Sequence, residues 1–161
     1  PGVCRYEPEF IKIENMAVRS ILTLENPPNK KYKSESSHAL INGMGGTINY
    51  QDKSWQGFEA EDLIAIIDLG SAKTINAVEV RFLQSQVFWI FLPYHIQIEH
   101  SYDGKNFELI YEDLPNNDFS FEQKIISYKT NLDPLESSFV RVKGYNIAQC
   151  SDYHPGAGGP S

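Results

Sequence analysis

The chain is short of cysteine, basic residues, long apolar runs and helical periodicity, and each shortage removes a class of protein. Two cysteines, Cys4 and Cys150, occur in 161 residues, too few for a disulfide-dense small scaffold. A bridge between them would close nearly the whole chain and restrict the unfolded state strongly. The other reading is two separate thiols, one on an N-terminal segment and one buried beside a strand end. With no CxxC or Cys/His cluster, zinc has no ligand set. Lys and Arg number 14 against 21 Asp and Glu, a net charge of −7, so the chain repels a phosphate polymer and no nucleic-acid partner is expected. The most apolar stretch, Val87-Phe88-Trp89-Ile90-Phe91-Leu92, is far short of the ~20 residues of a spanning helix. No transmembrane segment is expected.

What is present is ordinary globular material. Hydrophobic residues make up 41% and charged residues 22%, which argues for a packed core and against disorder. The sequence opens with Pro1 rather than Met, as a processed product or an excised piece of something longer would. Residues 1–17 lack clean periodicity and read as a lead-in or the end of a preceding module, with one domain over residues 18–161.

Within that domain the apolar pattern has period two. A strand is expected at residues 20–24, before the Asn26-Pro27-Pro28-Asn29 loop, where proline removes donors and fixes φ. Leu63, Ala65, Ile67 and Leu69 alternate with Ile64, Ile66 and Asp68, too apolar for a wet face, so this run reads as a central buried strand ended by Gly70. Val78, Val80 and Phe82 alternate with Ala77, Glu79 and Arg81, giving a half-buried strand. Residues 95–101 and 107–111 flank Asp103-Gly104, whose tolerance of positive φ suits a tight hairpin turn. Strands are also expected at residues 124–130 and 139–145, with loop after Gly156. Short strands, turn chemistry and 12% aromatic residues favour an all-β, antiparallel sandwich or barrel, an architecture that puts function on its end loops.

Catalytic chemistry has no motif to rest on. Glu59, Glu61 and Asp62 form the densest acidic cluster and read as a solvated turn. His95 and His100 are five positions apart on one strand, hence on opposite faces and unable to share a metal. Nothing resembles a nucleophile elbow or a phosphate-binding loop. Three expected loops instead combine aromatic with amide or acid groups: Tyr50, Asp52, Trp55 and Gln56; Gln84, Gln86, Phe88 and Trp89; Gln149, Asp152, Tyr153 and His154. Such a mixture suits sugars, whose rings offer a C–H face to an aromatic plane and hydroxyls to amides and carboxylates. Trp55 reads as core. Strict alternation would send Trp89 and Phe91 one way and Phe88 and Ile90 the other, leaving Trp89 either loop-exposed or buried. His154 precedes Pro155, which restricts its backbone, and the glycines after it remove competing side chains.

Asn42-Gly43-Met44-Gly45-Gly46-Thr47, Trp55-Gln56-Gly57-Phe58, Ile67-Asp68-Leu69-Gly70, Ile75-Asn76-Ala77-Val78, Ser101-Tyr102-Asp103-Gly104 and Phe139-Val140-Arg141-Val142 resemble, in order, the coagulation factor 5/8 type C (discoidin) domain over residues 18–159. Trp89-Ile90-Phe91-Leu92-Pro93 and Tyr153-His154-Pro155-Gly156-Ala157-Gly158-Gly159 are similar to the C-terminal modules of bacterial chitobiases and β-hexosaminidases, related to carbohydrate-binding module family 32. The resemblance implies a galactose-binding-domain-like, jelly-roll sandwich of eight strands without catalytic residues, a monomer within a larger extracytoplasmic glycosidase.

It also implies a glycan partner, of amino-sugar or galactose type, bound by Tyr50, Asp52, Gln84, Phe88, Trp89, Asp152, Tyr153 and His154. Relatives carry a closing strand with an aromatic residue and an acid after the glycine loop, whereas this sequence stops at Pro160-Ser161, so that either the end is trimmed or the strand is missing. Many also hold a structural calcium. The matching positions, Asn42 and Thr47, lack the usual acid, and calcium affinity follows ligand charge, so that site is expected to be weak or empty and no cofactor is required. Two other functions are weighed against sugar binding. Other discoidin relatives bind proteins or membrane surfaces through apolar loops, for which Phe88 to Phe91 could serve, although the acidic balance disfavours anionic lipid. Glycoside hydrolysis by the chain itself would need two carboxyls about 5 to 9 Å apart across a cleft and is not expected.

Overall fold

The structure, a computed structural model, describes residues 11–12, 14–34, 36, 38–150, 152 and 155–159. Their regular structure is β with short 3₁₀ turns. The strands are β1 (Ile11–Lys12), β2 (Ile21–Leu24), β3 (Met44–Gly45), β4 (Leu63–Ile75), β5 (Glu79–Gln84), β6 (His95–Ser101), β7 (Glu108–Asp113), β8 (Lys124–Lys129) and β9 (Leu135–Tyr145). β2-β4-β9-β6-β7 form a five-stranded antiparallel sheet, and β5-β8 form a two-stranded sheet, with β1-β3 a separate ribbon. No helix among the described residues is long and apolar enough to cross a membrane.

Register turns the period-two pattern into a core. Ala65 and Ile98 both lie opposite Val142, and Ile67 and His100 opposite Val140, so one face of the large sheet carries Ile67, Leu69, Ile98, Val140 and Val142 into a single buried cluster. Each such side chain contributes roughly 1.5–3 kcal/mol on leaving water. Val78 and Val80 pack against that cluster from the small sheet. The small sheet packs close on β9 at Gly144, where an added Cβ would lie 3.3 Å from Pro93 of the β5–β6 connection and 3.5 Å from the Phe82 ring. Tyr128 of β8 is half-buried, and desolvation, with Asp113 and Tyr111 nearby, pushes its phenol up to about 12.

The outer face of the large sheet holds an ion-pair triad. Glu99 accepts from Arg141 Nε and, at 3.0 Å, from Lys143 Nζ, while the Arg141 guanidinium stacks 3.9 Å over the Phe107 ring. Burial alone would raise the Glu99 pKa, but the two cationic donors outweigh it and hold the carboxyl below its ordinary value.

Three expectations need correction. Gly70 does not end its strand: at φ +78°, with its N–H bound to the Asp68 carboxylate at 2.7 Å, it makes a bulge after which β4 resumes pairing with β9 at Lys73. The strand itself is interior as expected, flanked by β2 and β9. The β6–β7 hairpin forms, but Asp103-Gly104 sits within a six-residue connection, residues 102–107, rather than a two-residue turn. Finally, the described part of the lead-in is built into the domain, with β1 paired to β3 and Ala17 packed on the core. Cys150 is a buried free thiol, and Cys4 lies outside the described residues. His95 and His100 do occupy opposite faces: His95 stacks on Tyr145 at 5.3 Å, whereas His100 is buried in register with Val140.

Candidate functional site

The antiparallel register places one set of loops at a common end. β5 finishes at Gln84 opposite the start of β8 at Lys124, β6 starts at His95 opposite the end of β9 at Tyr145, and β4 starts at Leu63 beside Gly144. Residues 46–62, 85–94, 114–123 and 146–150, with the described residues of the last loop, 152 and 155–159, therefore gather at that end. They are bound to one another by side-chain amides. Asn146 Nδ2 donates to the Phe58 carbonyl at 2.8 Å, and the Asn146 N–H donates to Asp62 at 2.8 Å. Gln86, with no exposed surface, donates to the carbonyls of Asn117 and Asp118 and accepts from the Ser120 N–H at 2.9 Å. Asn117 pairs with both backbone groups of Leu92, and Gln123 donates to Ser85 Oγ at 2.8 Å.

Between the first and middle loops lies a cleft of about 380 Å³ lined by Ile48, Asn49, Tyr50, Gln51, Phe88 and Gln123. Its aromatic wall is the Tyr50–Phe88 pair, with ring centroids 5.1 Å apart and planes inclined at 44°. Phe88 remains 49% exposed. The cleft thus combines apolar ring surface with the amides of Asn49, Gln51 and Gln123, the composition a polar ring compound needs.

Trp89 points elsewhere. A 3₁₀ turn at Gln86–Phe88 and a left-handed backbone at Trp89, φ 63°, break the strand alternation, so neighbouring rings diverge without following a pleat. The indole lies over the last loop: a Cβ added at Gly156 would sit 2.0 Å from the ring, and one at Gly159 would sit 2.9 Å from it. Glycine is required there because the space belongs to Trp89. That loop is closed on itself by Cys150 N–H to Gly159 O at 2.9 Å and Gly158 N–H to Cys150 O at 3.2 Å.

Other expected site residues have different duties. Gln84 ends β5 on the same face as Val80 and Phe82 and is 2% exposed; it and Leu83 are both buried where the strand runs under the end loops, so Gln84 lies beneath that end rather than on it. Asp52 is spent on its own loop: Oδ2 accepts from the Thr47 N–H and hydroxyl at 2.8 and 2.6 Å, and Oδ1 accepts from the Ser54 N–H. Trp55 is half-buried rather than core; it covers Gly46 and donates its indole N–H to the Thr47 carbonyl at 2.7 Å. Asp152 is exposed, and Tyr153 and His154 lie outside the described residues.

The position expected for calcium is a poor cage. Asn42 Oδ1 is engaged by the Met44 N–H at 2.8 Å, the Thr47 hydroxyl is committed to Asp52, and Asp52, the nearby carboxylate, has both oxygens occupied. No group of three or more His, Cys, Asp or Glu able to hold a metal occurs among the described residues. Donors already engaged in this way, with one carboxylate among them, do not fit a hard divalent cation.

Sequence reasoning missed residues 114–123 altogether. They carry Gln123 into the cleft and expose Phe121 (78%), whose ring meets Phe119 edge-to-face at 4.6 Å. The signal was present in Phe119-Ser120-Phe121 amid Asn116, Asn117, Asp118 and Glu122, an aromatic and amide mixture like that of the other loops.

A scan of protein-family models and a search of curated protein sequences give no match. Solved structures do match. The chain is similar to a Streptococcus pneumoniae fucose-binding module at 12% identity and TM-score 0.57, covering 92% of this chain and 89% of that one. It is similar to a family 32 carbohydrate-binding module of a Clostridium perfringens family 89 glycoside hydrolase at 20% identity and TM-score 0.53, covering 81% and 87%. A further such module from that organism, solved with GlcNAc-α-1,4-galactose, matches at 15% identity and TM-score 0.50 over 99% and 94%. The chain thus has an all-β sandwich fold like that of these carbohydrate-binding modules.

Proposed function

We propose that this protein is a non-catalytic carbohydrate-binding module that holds an attached glycoside hydrolase, of chitobiase or β-hexosaminidase type, on amino-sugar- or galactose-containing glycans outside the cytoplasm. The observation carrying this reading is the cleft between Tyr50 and Phe88, where aromatic rings and the amides of Asn49, Gln51 and Gln123 converge. The fold supports it, being shared with a fucose-binding module and with a module that holds GlcNAc-α-1,4-galactose. Trp89, Asp152, Tyr153 and His154 are proposed as flanking contacts on the resemblance of the last two loops. Tethering of this kind raises the effective substrate concentration of the enzyme even when single-site affinity is weak.

Calorimetric titration with galactose, N-acetylgalactosamine and N-acetylglucosamine oligomers tests the reading, and absence of binding at millimolar sugar overturns it. Phe88→Ala should weaken binding by about 1 kcal/mol, roughly fivefold, with little loss of stability because the ring is half exposed. We also propose that the module works without calcium. Chelation by EDTA should leave both the melting temperature and sugar affinity unchanged, and a fall in either on chelation, reversed by added calcium, would contradict this.

A further inference from the structure

Resting on the sugar-binding reading, we infer that residues 114–123 form a second subsite, with Phe121 as its platform, so that the module grips at least two consecutive sugar residues of a neutral glycan chain.

Three features carry this. The first is continuity with the cleft. Gln123 lines it with Phe88, and the Gln86 side chain holds the Ser120 N–H at 2.9 Å. Gln86 lies two residues before Phe88, and Ser120 lies between Phe119 and Phe121, so the two aromatic segments spring from one hydrogen-bonded junction. The second is fixity. Gln86 is fully buried and binds three backbone groups of this segment, while Asn117 binds the backbone of Leu92 through both its amide atoms. A platform held in advance loses little freedom on binding. The third is chemistry. Phe121 is the most exposed large hydrophobic side chain among the described residues, and its edge-to-face contact with Phe119 orients the ring.

Its neighbours along the chain are Asn116, Asp118, Ser120 and Glu122, hydroxyl-binding groups of which Asn116 donates to Asp118 at 2.7 Å and Glu122 faces Lys124 at 3.9 Å, so a single paired cation borders the segment. A sugar face with its hydroxyl rim suits that mixture. An anionic membrane surface does not, because juxtamembrane recognition relies on clustered Lys and Arg.

The test is a chain-length series on the full chain: galactose against N-acetyllactosamine, and N-acetylglucosamine against its β-1,4-linked dimer and trimer, titrated into wild type, Phe121→Ala and Phe88→Ala, with circular dichroism to verify folding. In the sugar series that binds, the dimer should bind about tenfold more tightly than the monosaccharide. Phe121→Ala should remove that gain while leaving monosaccharide affinity intact, and Phe88→Ala should weaken both. Equal affinity for monosaccharide and dimer in the wild type, or equal weakening of both by Phe121→Ala, overturns the second subsite but leaves the sugar-binding reading standing. Failure of every sugar to bind overturns both. Pelleting with phosphatidylcholine and phosphatidylserine vesicles, abolished in Phe121→Ala, would instead assign Phe121 to a membrane surface and overturn the subsite.

Discussion

The two ends of the sandwich solve the same problem in opposite ways. At the hairpin end, polar groups are satisfied within single connections, by backbone, or by short hydroxyl side chains such as Thr130, which accepts from the Val78 N–H at 2.9 Å. Asp103 accepts from the N–H groups of Lys105 and Asn106, from the Asn106 amide and from the Ser101 hydroxyl, and Thr130 and Leu132 close on Val78 and Asn76 through backbone bonds. At the cleft end, loops far apart in sequence are joined by amide side chains: Gln86 to residues 117–120, Asn117 to Leu92, Asn146 to Phe58 and Gln123 to Ser85. Their aromatic side chains, Phe88, Trp89, Phe119 and Phe121, remain at the surface. A connection that closes on itself needs nothing from its neighbours and terminates strands. Loops that brace each other can hold apolar rings in water, where hydrophobic collapse would otherwise draw them together.

The contrast breaks most readily at Gln86. Gln86→Ala removes three hydrogen bonds in a buried place and strands their backbone partners, which should cost about 1–3 kcal/mol and, by loosening residues 114–123, weaken sugar binding as well. Urea unfolding and titration on the same variant check both. Stability falling while affinity holds would show that the bracing does not position the site.

Acidification probes the sheet between the two ends. Because cationic partners hold Glu99 below its ordinary value of about 4.3, its stabilisation is fully present above that pH and is lost as pH falls through the lower folded value. Melting temperature should therefore decline below about pH 4. In Glu99→Gln it should start lower at neutral pH and decline less, and parallel curves for the two proteins would remove the triad from the account.

The smallest effect is expected at Asp103, whose carboxyl is also held well below its usual range, chiefly by the Asn106 N–H and then that of Lys105. The group is fully exposed, so Asp103→Asn should lower the melting temperature only slightly and leave sugar affinity untouched. An affinity change from this far end would mean that the two ends are coupled.

Much of the fold was legible because a half-buried strand must alternate. Leu63 to Leu69, Val78 to Phe82 and Phe139 to Tyr145 announce themselves by period two; the first and last lie within observed strands, and the second falls in β5 except for Val78, just before it. Gly70 misled because a glycine that ends a strand and one that makes a bulge look alike until a partner strand supplies the register. The Tyr50–Phe88 pairing was half legible: both residues stood among the expected sugar contacts, but their 5.1 Å approach joins residues 38 positions apart. Gln84 and Gln86 look equivalent along the chain. Only the pleat of β5 and the 3₁₀ turn after it make one an interior residue and the other a brace.

By itself, then, local chemistry determined the strand segments, the all-β class and the kinds of side chain in the end loops, since side-chain alternation and turn preference act over a few residues. Tertiary structure decided which loops share an end, which ring faces which cleft and which amides are consumed as braces. Those outcomes depend on the order of strands in the sheets and the register between them, and strand order is set by packing the whole core at once.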